Sequence, residues 1–138
     1  MYGIENRELP LVEFSLVIDG GHRFDTPEKN GVANLMSDIM MEGTATKTPE
    51  ELEEEIDLLG SNISMYTSDL NLNMRASSPA RNFDKTIGLV QEILLEPRWD
   101  EEEFDRIKTK TVNDLKRRQA SPDYVSNKIF TEMVYGKD

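Results

Sequence analysis

The chain has few residues whose types and spacing could support catalysis or metal binding. Its one histidine, His22, lies in a glycine-flanked turn. A His-x-x-Glu-His zinc site needs two histidines one helical turn apart, with a glutamate beside them as the base. A single histidine cannot supply that site, and no serine stands in a nucleophile-elbow motif with which His22 could act. We therefore expect a surface or structural role for His22.

Other common ligand and nucleophile patterns are also missing. The chain has no cysteine, which excludes disulfides, thiolate metal ligands and cysteine nucleophiles. Gly20-Gly21 is a turn signal and not a phosphate-binding loop. The acidic stretch from Glu50 to Glu55 is predicted to be helical, so its carboxylates point around the circumference and do not converge on one ion. It is expected to be a solvated face near a helix N-terminus.

The most informative segment is a predicted helix from about Gly31 to Glu42, with Gly43 as its stop. Asn34 and Asp38 are four residues apart and share one face of this helix, and Ser37 is adjacent. Taken alone, such a polar pair on a mostly buried helix indicates groups satisfied by backbone or water.

The elements that must position this helix begin with strands. Residues 2–6 and 11–18 are predicted strands, and residues 61–77 alternate between apolar and polar side chains in a way that predicts two short strands hinged near Ser68-Asp69. Between them, Thr48-Pro49 opens a helix with Glu51 completing a capping box, and Gly60 ends it.

Three further helices are predicted towards the C-terminal end. The first begins near Ser78-Pro79, the second is capped by Asp100 and runs to about Arg118, and the third extends from Ser121 to Gly136. The first is expected to pack through four apolar side chains: Phe83, Ile87, Val90 and Leu94.

Early strands and late helices predict an α+β fold, with an antiparallel sheet and helices packed against one face. Four short strands carrying five helices make a lopsided arrangement. We therefore expect residues 1–138 to form one partial domain.

Composition narrows the function classes. The chain has 16 Lys and Arg against 27 Asp and Glu, a net charge of −11, which disfavours a nucleic-acid surface. The basic run Lys116-Arg117-Arg118 falls at a predicted helix C-terminus, where positive charge is favourable. No apolar run approaches the length that crosses a bilayer, and the first residues lack a signal-peptide pattern, so membrane insertion is not expected.

At residues 31–44 the sequence resembles the active-site helix of the pitrilysin/insulinase family of zinc peptidases, which have a processing-peptidase-like fold. The family pattern is Gly-x-Ala-His-x-x-Glu-His, four more residues, then Gly-Thr. This chain keeps the frame at Gly31, Ala33, Gly43 and Thr44. The resemblance extends over most of the chain, through Gly20-Gly21, Thr48-Pro49-Glu50-Glu51-Leu52, Leu59-Gly60-Ser61-Asn62, Pro97-Arg98-Trp99 and Ser121-Pro122.

The chain departs from the family at each position that the resemblance assigns to chemistry. Asn34 stands where the first histidine ligand would be, Ser37 where the general-base glutamate would be, and Asp38 where the second histidine would be. The third ligand, a glutamate, falls near Asp114. Amide and carboxylate oxygens are poor replacements for imidazole on zinc, and serine does not accept and return a proton near neutral pH. The resemblance therefore implies no catalytic or metal-binding residue in this chain, with zinc expected only in a catalytic partner half.

The resemblance implies a function through the family's two-half architecture, in which homologous halves or subunits face each other across a chamber. This chain is then expected to be part of the motif-less half, with the catalytic half or a partner subunit and a peptide substrate as its partners. A stand-alone scaffold or protein-binding module without a proteolytic role stays open, as does a weak metal site at Asn34, Asp38 and Asp114. The family favours a bacterial periplasm or envelope, but these residues do not show the compartment. Exposed sheet edges and apolar helix faces are expected to favour self-association of the fragment.

Overall fold

The computed structural model describes residues 10–136 of the chain, and the strand expected over residues 2–6 lies outside them. Three strands and five α-helices are described: β1 (Leu11–Asp19), α1 (Val32–Met40), α2 (Pro49–Leu58), β2 (Asn62–Thr67), β3 (Asn71–Pro79), α3 (Phe83–Leu95), α4 (Glu101–Gln119) and α5 (Pro122–Tyr135). The chain divides into two compact units, Met1–Phe104 and Asp105–Asp138.

The sheet is antiparallel with the order β1-β3-β2, so the last strand in sequence is central. Leu72, Met74 and Ala76 of β3 are buried on one face, whereas Arg75 between them is exposed on the other. This alternation is the period of two that a half-covered sheet requires. The expected hinge near Ser68-Asp69 is confirmed as the turn that joins β2 to β3.

One hydrophobic core joins the covered face of the sheet to α2 and α3. It contains eight buried side chains: Leu52, Leu59, Ile63, Met74, Ala76, Leu89, Val90 and Ile93. Phe14 of β1 packs against this cluster, and its ring meets that of Phe83 edge to face at 6.0 Å between centroids. The predicted α+β fold, with an antiparallel sheet and helices on one face, is thereby confirmed.

The sequence signals at the start of α2 act as predicted. The backbone N–H of Glu51 donates to Thr48 Oγ1 at 3.2 Å, and the N–H of Thr48 donates to Glu51 Oε2 at 2.8 Å. This reciprocal pair satisfies two donors that the helix leaves without partners, and Pro49 occupies the first turn.

The prediction that a helix begins near Ser78-Pro79 was wrong. The strand β3 continues through Pro79, a 3₁₀ turn follows over Ala80–Asn82, and α3 begins at Phe83. The reason is a small polar residue in a core position. Ser78 is buried and its Oγ accepts a 2.9 Å hydrogen bond from Thr86 Oγ1. The hydroxyls of Thr86 and Ser61 share a further hydrogen bond of 2.7 Å. Hydrogen-bonded hydroxyls therefore occupy the buried face of β3 beyond its last apolar residue.

The packing face of α3 agrees with the prediction in part. Val90 is buried as expected, and Leu94 packs against the core although it is only half-buried. Phe83 and Ile87 are also half-buried, whereas Thr86, Leu89 and Ile93 are buried and were not among the expected contacts.

The later helices begin and end close to the predicted points. Asp100 Oδ1 accepts hydrogen bonds from the N–H groups of Glu102 at 3.0 Å and Glu103 at 3.2 Å, and thereby caps α4. Lys116, Arg117 and Arg118 lie in the last turn of α4, as expected. Before this cap, Trp99 has a left-handed backbone with φ 52° and is 56% exposed.

No helix among the described residues combines the length and apolar character needed to cross a bilayer.

Candidate functional site

The site is built on α1, whose polar residues occupy two different environments. Asn34 and Asp38 are exposed on the helix surface. Ser37 is only 2% exposed, and its Oγ donates a 2.8 Å hydrogen bond to the backbone oxygen of Asn34. Asn34 and Asp38 therefore present oxygen and amide groups to the outside, while the Ser37 hydroxyl is engaged within its own helix.

A carboxylate upstream of α1 fixes the N-terminus of the helix. Asp25 Oδ2 accepts a 2.9 Å hydrogen bond from the N–H of Gly31, and Asp25 Oδ1 accepts one of 3.1 Å from the N–H of Ala33. These donors hold the pKa of the Asp25 carboxyl below its usual value, the Gly31 N–H contributing most. A carboxylate at this end also interacts favourably with the positive end of the helix dipole.

The side chain of His22 lies beside this anchor. Its Nδ1 is 3.4 Å from Asp25 Oδ2. The backbone N–H of His22 donates to the Ser68 oxygen at 3.1 Å. Gly21 makes this approach possible, because a Cβ there would lie 2.2 Å from the same oxygen and its φ is 91°.

The rest of α1 is tied to the sheet and to α3. Thr67 Oγ1 of β2 donates a 2.9 Å hydrogen bond to the Ala33 oxygen. Beyond the C-terminal end of α1, Thr44 forms an isolated bridge with Pro97, and Ala45 N–H donates to the Glu96 oxygen at 2.7 Å. The first turn of α1 and the segment that follows the helix are therefore held by polar contacts to neighbouring segments.

The fourth predicted position, Asp114, lies on α4 in the unit Asp105–Asp138. Its carboxylate accepts a hydrogen bond from the guanidinium of Arg117, one turn further along the same helix. Asn34, Ser37 and Asp38 are brought together on α1, and Asp114 is described within its own unit. Among residues 10–136, no group of three or more His, Asp or Glu side chains is placed to hold a metal ion. Weak cation binding by these side chains stays a prediction.

Sequence reasoning missed Asp25 as the residue that positions α1. The signal was available, since Asp25 opens the turn-rich segment that leads to Gly31. An N-cap is normally sought directly before the first helical residue, whereas the Asp25 carboxylate reaches forward across a 3₁₀ turn over Pro27–Lys29.

Beside α1, the strand β2 is the last strand of the described sheet. Its residues Asn62 to Thr67 pair with β3 on one side, and no described strand pairs with it on the other. Edge backbone groups of this kind are free to accept an additional strand.

Comparison with known proteins gives consistent matches. Residues 4–137 match the family described as insulinase, peptidase family M16. A protein of Bacillus subtilis, named as the uncharacterized zinc protease YmxG, is 23% identical over 131 residues, which are 95% of this chain and 32% of that protein. A mitochondrial-processing peptidase subunit beta of Neurospora crassa is 32% identical over 89 residues, 64% of this chain and 19% of its own length.

Solved structures agree on the fold. The peptidase M16 inactive domain from Pseudomonas fluorescens superposes with a TM-score of 0.87 at 20% identity, covering 97% of this chain and 33% of that chain. A protease from Helicobacter pylori gives a TM-score of 0.77 at 19% identity, over 84% of this chain and 28% of its own. The chain thus spans between 19% and 33% of the length of these relatives. Since the family match extends over residues 4–137, this chain belongs to the insulinase family, peptidase family M16.

Proposed function

We propose that this chain is part of the non-catalytic half or subunit of a zinc metallopeptidase, and that it helps to form the chamber and to bind an extended peptide. The observation that carries the proposal is the face of α1. Asn34 and Asp38 occupy its exposed positions, and Ser37 is buried with its hydroxyl engaged. Positions 34 and 38 carry no imidazole ligand, and position 37, where the base would stand, carries a hydroxyl and not a carboxylate.

The scaffold around that face supports retention of a structural role. Asp25 holds the N-terminus of α1, and Thr67 ties the helix to β2. These contacts keep α1 beside β2, whose other side is paired with no described strand. An extended peptide can add to such an edge through main-chain hydrogen bonds.

The relatives support a partnership with a catalytic half. Several are named as peptidase subunits, such as the beta subunit of Neurospora crassa, and one solved neighbour is named as an inactive domain. Another neighbour, the ferredoxin protease FusC, was solved in complex with Arabidopsis ferredoxin, with a TM-score of 0.75 at 17% identity. By analogy, zinc is expected in the catalytic partner and a peptide or unfolded segment is the substrate class.

A quenched-fluorescence assay on an unstructured peptide tests the proposal. The chain is assayed alone, then with a candidate His-x-x-Glu-His half, then with a chelator added. We expect cleavage only in the mixture, and its loss with the chelator. Chelator-sensitive cleavage by this chain alone would refute the assignment.

A second candidate is a scaffold without a proteolytic role. It is favoured by the similarity to the cytochrome b-c1 complex subunit 1 of Caenorhabditis elegans, which is 28% identical over 82% of this chain and 23% of its own length. That protein is named as a subunit of a complex and not as a peptidase. If the two halves associate and the mixture still cleaves nothing, the scaffold becomes the better assignment.

A further inference from the structure

The uncovered face of the sheet carries a polar surface separate from α1 and from the edge of β2. Strand pairing arranges its side chains in cross-strand rows. Ser15, Arg75 and Ser64 form the central row, and Glu13, Ser77 and Asn62 form the next. A cavity of about 550 Å³ opens here and is lined by these residues. We refer to it as the Arg75 face.

Arg75 is the one cation among the residues that line this cavity, and it makes no ion pair with any described residue. Lys47 and Arg98, by contrast, are each paired with a carboxylate. Glu13 also lines the cavity, but it is placed diagonally, opposite Ser77 and not opposite Arg75. The Arg75 guanidinium is therefore presented without an ion pair by a chain whose net charge is −11.

The guanidinium is also held in place before any ligand binds. Its carbon lies 5.4 Å from the centroid of the Tyr66 ring, a cation–π geometry. The small hydroxyl side chains of Ser15 and Ser64 flank it in the same row and leave room above it. A planar donor that is already oriented loses less entropy on binding, and hydroxyls on both sides can add hydrogen bonds to an oxygen ligand.

These features select the ligand. A guanidinium matches a carboxylate through two parallel hydrogen bonds. One arginine can balance one carboxylate. A doubly charged phosphate or a nucleic acid would be repelled by the strong negative charge of the chain, and a single arginine would not offset that repulsion. The cavity is open and spans all three strands, so a free small molecule would stay largely solvated, whereas a polypeptide segment could cover the surface.

We propose that the Arg75 face is a docking surface for a polypeptide segment that carries one aspartate or glutamate, whose carboxylate pairs with Arg75 between Ser15 and Ser64. The contacts proposed at Arg75 are made by side chains on the face of the sheet, whereas the edge of β2, the strand to which Ser64 belongs, would bind a peptide through its main chain.

The test uses the full isotope-labelled chain and NMR titration. The probe is a short acetylated and amidated Thr/Ala peptide with one central aspartate, and the matched probe has asparagine at that position. We expect the aspartate peptide to shift the Arg75 Nε–H signal and the amide signals of Ser15 and Ser64. Equal shifts with the asparagine peptide would overturn the proposal, and so would equal shifts from acetate alone at the same concentration, since that would indicate a small-anion site.

Variants sharpen the result. Arg75→Gln is expected to lower the affinity at least about tenfold, because the charged, two-bond contact is lost. Arg75→Lys keeps the charge without the planar donor pair and should fall between the two. Arg81→Gln, an exposed arginine on the following 3₁₀ turn, serves as the matched control and should bind like the wild type. Unchanged affinity in Arg75→Gln would contradict the proposal, with its backbone spectrum confirming that the variant is folded.

Discussion

The side chains at positions 34 and 38 determine what the exposed face of α1 can bind. Both are exposed and four residues apart, so imidazoles placed there would share one side of the helix. The backbone needs no rearrangement, because the helix is already anchored by Asp25 and Thr67.

We therefore expect the double variant Asn34→His and Asp38→His to gain zinc binding. Two imidazoles one turn apart are a standard pair of zinc ligands, so affinity should rise at least about tenfold over either single variant. Calorimetry with zinc measures it, and the single variants are the controls. No peptidase activity should appear, since Ser37 is unchanged. Equal affinity in the wild type would refute the interpretation of this face.

Asp25 should make stability depend on pH at the acidic end. Its folded-state pKa is lowered, chiefly by the Gly31 N–H, so its contribution is complete above the unfolded pKa and is lost as pH falls through the folded one. Asp25→Asn should therefore reduce stability at neutral pH and flatten its decline below about pH 4. Thermal unfolding across pH checks this, with exposed Asp19→Asn as the control. An unchanged acid profile in Asp25→Asn would count against the anchor.

At the scale of elements, one lysine links the loop after α1 to two helices. Lys47 Nζ lies 2.6 Å from Glu92 Oε2 of α3 and 3.5 Å from Glu55 Oε2 of α2. Thr46 Oγ1 donates to the same Glu92 carboxylate at 2.7 Å. The hydrogen bond between the Lys47 ammonium and the Glu92 carboxylate raises the pKa of Lys47 and lowers the pKa of Glu92.

The Lys47–Glu92 pair should stabilise the fold equally over an intermediate range of pH. The contribution is lost as pH falls through the lowered pKa of Glu92, and again as pH rises through the raised pKa of Lys47. Glu92→Gln should lower the unfolding free energy by about 1 kcal/mol or less, since both side chains remain partly exposed. A denaturant double-mutant cycle with Lys47→Gln measures the coupling, and Glu96→Gln is the control. Additive effects in the cycle would show that the pair is not coupled.

Substitutions at two glycines with the same φ distinguish the stability cost of backbone strain from that of steric crowding. Gly31 and Gly43 both have φ 98°, but a Cβ at Gly31 meets nothing within 4 Å, whereas one at Gly43 would lie 2.7 Å from the Lys47 oxygen. Gly31→Ala should cost about 1 kcal/mol of unfolding free energy from strain alone. Gly43→Ala should cost more than about 2 kcal/mol, because backbone must also move. Equal losses in chemical denaturation would contradict this account.

Local sequence signals predicted the elements best at helix starts, where a residue type stabilises the helix by one known capping mechanism. Thr48, Pro49 and Glu51 form the expected capping box, and Asp100 caps α4. The prediction failed at Ser78, because a buried hydroxyl looks polar in sequence and its partner Thr86 is eight residues away. The anchor at Asp25 was missed for the same reason, since its partners at Gly31 and Ala33 are distant in sequence.

For the molecule as a whole, alternation and helix periodicity were sufficient for the α+β class and for one covered sheet face. The central place of β3 was not predicted, since strand order depends on pairings between segments far apart in sequence, such as Leu11 with Pro79. The left-handed conformation of Trp99 carries no sequence signal at all.

Self-association is the prediction that concerns the whole chain. None of the described side chains of α5 is buried, and Phe130 and Met133 are 65% and 81% exposed. Such a helix face favours association. Light scattering should show a mass that rises with concentration, and Phe130→Lys with Met133→Lys should reduce it. Thr131→Lys adds charge at an exposed polar site and is the control. A monomeric wild type at high concentration would refute the prediction.

The exposure of Trp99 determines which spectroscopic signals can follow the unfolding of this chain. It is the only tryptophan of the chain, and it is already more than half exposed in the folded state. Its fluorescence emission should therefore resemble that of indole in water, and should change little on denaturation. Circular dichroism should therefore report unfolding of this chain, whereas Trp99 should be quenched by a soluble quencher in the folded state almost as strongly as in the unfolded state.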